Sequence, residues 1–343
     1  MLYAITFTKT EFIRKRAMTH TLKQLEIPST LRHDLQAVED RIMQRVESQS
    51  ALITAAGQHI VSSGGKRLRA MMVLLASQLG RYRLSDSLHA ATAVELIHAA
   101  SLVHDDLVDD ADRRRGKVTV HAKWDQGVAL MVGDYLFAVA AGEMALAPDP
   151  RVIQIFAESV MTISASELHP VMATLPTATA LEQYYAKIGG KTAALFEAAA
   201  AAGVVCGGGS PEEIEAAARY GYDIGLAFQI VDDILDFVST EETLGKPAGN
   251  DLREGTITLP LILAVKDHHE HPLVNLLDQY EQLSDEQVTQ AISQVKQLGG
   301  IDQAIAQARE ITQRGLAALD IFPPSDAKEL LREIADYVLD RNF

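Results

Sequence analysis

Residues 210–239 read SPEEIEAAARYGYDIGLAFQIVDDILDFVS. Ser210 suits an N-cap, Pro211 the first helical position, and Glu213 completes a capping box, so the stretch predicts one long helix. A second long helix is predicted over 86–112, which contains no Gly or Pro, with Ser85 as its candidate N-cap and Gly116 as its stop. Ser284 and Ser325 cap two later helices, and Gly299 with Gly300 ends the first of them. The most apolar stretch, TAALFEAAAAAGVVCGGG at 192–209, contains Glu197 and ends in three glycines, which makes it a buried helix too short and interrupted to span a bilayer. No stretch shows sustained strand alternation. The expected fold is an all-α bundle forming one domain over 21–343, without repeats or a linker, behind a disordered tail at 1–20.

Composition narrows the function. A chain of 343 residues with 48% hydrophobic content can bury a large core. Its formal net charge of −15 would be repelled by nucleic acid and by an anionic membrane surface, so neither is expected as the main partner. The start, MLYAITFTKTEFIRKRAM, has no basic leader ahead of its apolar residues and fits no secretory signal. A single cysteine, Cys206, excludes an intrachain disulfide and suits the cytoplasm.

Charge is concentrated on the two long helices. SLVHDDLVDDADRRRG at 101–116 places Asp105 and Asp109, and likewise Asp106 and Asp110, four apart and so a turn apart on one face. Arg113 and Arg114 could neutralise Asp109 and Asp110 in ordinary surface ion pairs. In the second helix Asp232 and Asp236 are again four apart, with Asp233 beside them and no Lys or Arg within helical reach. At an effective dielectric of about 20, unit charges about 4 Å apart repel by roughly 4 kcal/mol, so these carboxylates call for a cation. Two D-D-x-x-D groups, 127 positions apart, suggest helices facing each other across a cavity. Oxygen ligands of this kind suit Mg2+, which shares its shell with water and substrate phosphates. SSGGKRLRA supplies Lys66, Arg67 and Arg69 after two glycines, where a helix N-terminus would offer amides to phosphate.

Taken together, GGKRLR, ELIHAASLVHDDLVDDADRRRG, KTAALF, AFQIVDDILDF and LGKPAGNDL resemble the trans-isoprenyl diphosphate synthases, in the order of that family. The resemblance runs from about residue 30 to the final DRNF. It implies an isoprenoid-synthase-type helical bundle around a deep central cavity, assembled as a homodimer. It also implies that isopentenyl diphosphate is condensed head-to-tail with an allylic diphosphate. On the resemblance, Asp105, Asp109, Asp232 and Asp236 hold Mg2+, with Asp106 and Asp233 as nearby ligands or supporting groups. Lys66, Arg69, His98 and Arg115 would bind the diphosphate of isopentenyl diphosphate. Arg114, Lys191 and Lys246 would hold the allylic diphosphate, with Thr192 and Gln229 facing the reacting carbons.

Ala100 and Ser101 precede the first aspartates where short-chain members of the family often carry an aromatic ring. Their small size points to a medium or long product, on the order of hexaprenyl to nonaprenyl, with Ser101 one helical turn before Asp105. The sequence departs from the family pattern at Ala70, Pro170 and Thr256, where Pro, Gln and Lys are usual. Other readings compete. GGKT at 189–192 resembles the end of a nucleotide-binding loop, but Tyr185 stands where that motif needs its first glycine and no strand precedes it. A short-chain synthase or a non-catalytic subunit of a heteromeric synthase would share the helical fold, although intact aspartates argue against the latter. HHEH at 268–271 reads as a solvated loop rather than a Zn2+ site.

Overall fold

A computed structural model describes residues 27–62, 65–114, 116–238, 248–276 and 283–340. The expected tail at 1–20 lies outside the described residues. In chain order the helices are α1 (Ser29–Arg45), α2 (Ala51–Val61), α3 (Leu68–Gln78), α4 (Leu84–Val108), α5 (Val120–Lys123), α6 (Gln126–Met144), α7 (Arg151–Ser166) and α8 (Thr177–Ile188). They continue as α9 (Ala194–Cys206), α10 (Pro211–Val238), α11 (Asn250–Arg253), α12 (Leu259–Val265), α13 (Asp285–Gln297), α14 (Gly300–Ala318) and α15 (Asp326–Leu339).

The bundle forms around α9, in which every residue but Glu197 is buried. Helices α3, α4, α7 and α10 pack around it, while α6 lies along α4 and α14 along α10. One contiguous apolar core results. By length and composition Gln126–Met144 and Thr177–Cys206 are apolar enough to cross a membrane, but 89% of the second's apolar window is buried inside the bundle. That burial makes the alanine-rich stretch the core helix its sequence predicts.

Close approach of α10 to α9 depends on two glycines. A Cβ on Gly225 would stand 2.6 Å from Ala193 Cα, and one on Gly221 would collide with the Phe196 carbonyl. Their absence of side chains seats the aspartate-bearing half of α10 directly against the start of α9.

Local signals set several helix ends. The Ser210 amide donates to Glu213 Oε2 at 2.7 Å and the Glu213 amide to Ser210 Oγ at 3.3 Å, which is the capping box read from sequence. Ser284 forms a second box with Gln287, Ser325 caps α15, and Gly299 adopts a positive φ of 73° ahead of α14. The first aspartate helix differs from expectation. It begins at Leu84 behind an extended Arg83, so Ser85 is inside the helix and its hydroxyl donates to Asp86 instead of capping. It also stops at Val108, because Asp109 caps it and Asp110 turns to φ 49°. Residues 109–112 are thereby outside the helix, and Asp110 does not stack on Asp106. Instead, strand β1 (Arg113–Arg114) pairs antiparallel with β2 (Lys117–Val118) in a small hairpin turned at Gly116.

Candidate active site

One stripe of α4, made of Glu95, His98, Ala99, Leu102, Val103 and Asp106, faces a cavity of about 520 Å³. This is the three-and-four spacing of a single helix face. Lys66 and Arg69 line the same cavity from the α2–α3 loop and α3, Arg114 from β1, Phe228 from α10 and Tyr337 from α15. Lys66, Arg69 and His98, assigned to one diphosphate, are therefore brought together, and Arg114 joins them. Lys66 Nζ sits 4.4 Å from the Tyr337 ring centre and the Arg69 guanidinium 4.5 Å from that of Phe196. Both cations rest on aromatic faces, which orient them without neutralising them. Neither Tyr337 nor Phe196 was singled out in the sequence, since contacts across the bundle leave no local pattern.

Arg67 differs from its neighbours. It lines the same cavity but adopts a left-handed φ of 50° and is held by protein partners, with Nε 3.2 Å from Glu39 Oε1, Nη1 3.5 Å from Glu95 Oε2 and Nη2 donating to Val61 O at 3.1 Å. Glu95, 5% exposed, also accepts the Ala70 amide at 3.0 Å. Of the first-turn amides of α3, that of Ala70 is thus taken by a carboxylate. Arg67 and Glu95 buttress the loop that aims Lys66 and Arg69.

The first aspartate group divides by exposure. Asp105 is half-buried and Asp109 exposed, while Asp106 is buried with its Oδ1 2.5 Å from Arg114 Nε. Burial pushes the Asp105 carboxyl up to about 6, reinforced by Glu167 and Asp109 and opposed by Lys191 and Arg114. Burial likewise raises Asp106, against the pull of Arg114. The arginines do not pair with Asp109 and Asp110 as surface ion pairs: Arg114 takes Asp106, and Arg113 Nη1 donates to the Gly116 carbonyl at 3.0 Å.

In the second group Asp232 is half-buried, whereas Asp233 and Asp236 are 5% and 3% exposed. Asp233 accepts from Tyr184 Oη at 2.7 Å and from Gln229 Nε2 at 2.9 Å. Asp236 accepts the amides of Asn250 at 3.2 Å and Asp251 at 3.0 Å, capping α11. Burial pushes Asp233 up to about 7, although Tyr184 and Gln229 counteract it. The three therefore differ in surroundings: Asp232 is partly open, Asp233 is engaged by Tyr184 and Gln229 as a supporting group would be, and Asp236 also caps α11.

These donors fit a hard divalent cation that completes its shell with substrate and water. They are all carboxylates, they come from two helices, and among the described residues no three His, Cys, Asp or Glu side chains form a ready-made cage. In HHEH, His269 Nε2 lies 2.8 Å from Lys266 O, and the Leu273 amide donates to His271 Nδ1.

Residues 189–193 link the two aspartate helices. They form a π-helical turn between α8 and α9, a local geometry frequent at functional sites and not visible in GGKTA as a sequence. Lys191 Nζ lies 3.0 Å from Glu167 and 4.0 Å from Asp105 on α4. Burial would lower its ammonium, but Asp105 and Glu167 hold it above the ordinary lysine value. The next residue, Thr192, donates to Gln229 Oε1 on α10 at 2.8 Å. This helical turn has no strand before it, which excludes a nucleotide-binding loop. Ser101 donates to the His98 carbonyl on the Asp105 side of α4, while Ala100 is fully buried about 100° further round the helix. Arg115 and Lys246 lie outside the described residues.

Comparison with known proteins agrees with this geometry. The sequence model of the polyprenyl synthetase family matches residues 50–295. Heptaprenyl diphosphate synthase component 2 of Geobacillus stearothermophilus is 37% identical over 315 residues, 92% of this chain and 98% of that one. Octaprenyl diphosphate synthase of Haemophilus influenzae is 33% identical over 319 residues, 93% and 97% of the two chains. The crystal structure of polyprenyl synthase from Caulobacter crescentus, complexed with calcium and isoprenyl diphosphate, matches at TM-score 0.84 and 35% identity over 92% of this chain and 96% of that one. With the family model matched over residues 50–295 and relatives above 30% identity aligned almost end to end, the chain belongs to the polyprenyl synthetase family.

Proposed function

We propose that this chain is a prenyltransferase that condenses isopentenyl diphosphate head-to-tail with an allylic diphosphate, giving a medium or long all-trans polyprenyl diphosphate. The observation that carries this reading is the juxtaposition of a cationic cavity wall, Lys66, Arg69 and His98, with carboxylates on α4 that are bridged to α10 through Lys191 and Thr192. One diphosphate belongs against Lys66, Arg69 and His98, joined by Arg115. The other belongs at the aspartates, with Lys191, Arg114 and Lys246 as its cationic partners. Divalent cations, Mg2+ in this reading, held by Asp105, Asp109, Asp232 and Asp236 with Asp106 and Asp233 nearby, would neutralise the charge that builds on the departing diphosphate.

The allylic C–O bond breaks with both electrons leaving on the diphosphate oxygen. The double bond of isopentenyl diphosphate then forms the new C–C bond to the allylic carbon, and a proton is lost to restore the double bond, with the released diphosphate as the acceptor. Lys191 and Arg114 stabilise the leaving group, and Lys66, Arg69 and His98 fix the nucleophile at bonding distance. Thr192 and Gln229 present uncharged oxygens, which steady an allylic cation without capturing it. No nucleophilic Ser or Cys is required, and the single thiol, Cys206, is buried and pushed up to about 12 by that burial.

The catalytic unit is proposed to be one domain over 21–343, a homodimer working in the cytoplasm without an integral membrane segment. The Geobacillus relative is by name one component of two, so the purified chain alone is the informative preparation. Incubated with labelled isopentenyl diphosphate, farnesyl diphosphate and Mg2+, it is expected to extend the allylic substrate, to stop on chelation and to resume on Mg2+ addition. Activity that appears only after a second, different subunit is added would overturn the homodimer.

A further inference from the structure

Tyr184, Asp233, Gln229 and Thr192 form one chain of hydrogen bonds running from the interior to the π-helical turn. Tyr184 Oη donates to Asp233 Oδ2 at 2.7 Å, Gln229 Nε2 donates to Asp233 Oδ1 at 2.9 Å, and Thr192 Oγ1 donates to Gln229 Oε1 at 2.8 Å. Tyr184 is 1% exposed and Asp233 5%, so water does not compete for these bonds. Both Asp233 oxygens accept, one from Tyr184 and one from Gln229, and this fixes which end of the Gln229 amide faces it. The amide nitrogen turns to Asp233 and the carbonyl oxygen to Thr192. Thr192 has one hydroxyl proton and gives it to that oxygen, so its remaining capacity is lone pairs alone. Were the amide reversed, N–H hydrogens would stand where the oxygen now stands and would repel developing positive charge instead of stabilising it.

We propose that Tyr184 is a positioning residue for the ionisation step: by holding the second oxygen of Asp233 it fixes the Gln229 amide, and through it Thr192, with oxygen rather than hydrogen toward the reacting carbons. Without the phenol, Asp233 loses the donor that anchors its far oxygen. The carboxylate then rotates about its broad terminal torsion and carries the amide with it. This inference rests on the prenyltransferase reading above and adds to it a residue that neither aspartate motif contains.

A kinetic cycle tests it. Tyr184→Phe keeps the ring and is expected to lower kcat about tenfold, the effect of one hydrogen bond to a charged group, while KM for both diphosphates stays within about twofold. In a Gln229→Leu background, measured by single turnover, the same substitution is expected to have no further effect, because the amide it orients is gone. Asp233→Asn, which can offer its own N–H to Gln229 and reverse the amide, should reproduce both results and carries the test if Tyr184→Phe loses its helical circular dichroism. Equal losses in the presence and absence of Gln229, an unchanged kcat, or a rise confined to KM would overturn the relay. Failure of the unmutated chain to condense the substrates at all would instead overturn the prenyltransferase reading.

Discussion

Asp232 and Asp233 are adjacent in sequence and opposite in surroundings. The first is partly open, and the second is buried and bonded to Tyr184 and Gln229. Substituting Asp232 by Ala relieves its repulsion of Asp233, so the variant should keep its melting temperature within a few degrees yet lose turnover by about 10²-fold or more. Full activity in a folded Asp232→Ala protein would remove it from the metal group. On the opposite wall, Lys66→Ala or Arg69→Ala should raise KM for isopentenyl diphosphate, whereas Lys191→Ala should raise that for the allylic substrate. Glu95→Gln, which weakens the buttress under Arg67 while leaving every cavity cation in place, should raise KM for isopentenyl diphosphate about threefold with little change in kcat. Equal weakening of both substrates by both groups of variants would contradict the two-pocket map.

Among the elements, those with capping chemistry were legible in the sequence and those shaped by tertiary contact were not. Ser210 with Glu213, Ser284 with Gln287, and Ser325 marked their helices because the cap and its partner lie within four residues. The end of α4 could not be read that way, since Asp110 takes its left-handed φ where the chain leaves to form the hairpin. The π-helical turn was hidden because α7 and α10 pack on both sides of it, and Tyr184 lay outside every motif. The aspartate spacing was legible in the sequence, whereas the partners that Asp233 and Asp236 take lie up to 49 residues away and leave no local signal.

Helices α1, α4 and α6 meet at another contact of this kind. Glu143, with no exposed side-chain surface, accepts from Arg41 Nη2 at 2.9 Å, lies 2.8 Å from His89 Nδ1 and 2.7 Å from Arg45 Nε. Burial alone would raise its carboxyl, but Arg41 and His89 hold it below the ordinary 4.5. A carboxylate depressed in the folded state contributes stability that is fully present above the unfolded value and is lost as pH falls through the folded one. Glu143→Gln is expected to lower stability by about 2–4 kcal/mol at neutral pH. Melting curves should show the difference between the two proteins shrinking below pH 4.5. A difference independent of pH would contradict the charge assignment.

At the scale of the whole molecule, product length depends on how far the allylic tail can descend from the aspartates. Ser101 stands a turn below Asp105 and Ala100 is buried beside it, and both are small. Ser101→Phe or Ala100→Phe is therefore expected to shorten the product while condensation continues. Two relatives are named for heptaprenyl and octaprenyl products, both inside the hexaprenyl-to-nonaprenyl range proposed for the unmutated chain. The most direct test is to incubate the purified chain alone with labelled isopentenyl diphosphate, Mg2+ and farnesyl diphosphate, and to size the dephosphorylated products. A ladder ending between the hexaprenyl and nonaprenyl alcohols is the predicted result, and the absence of any product longer than the starter would contradict it.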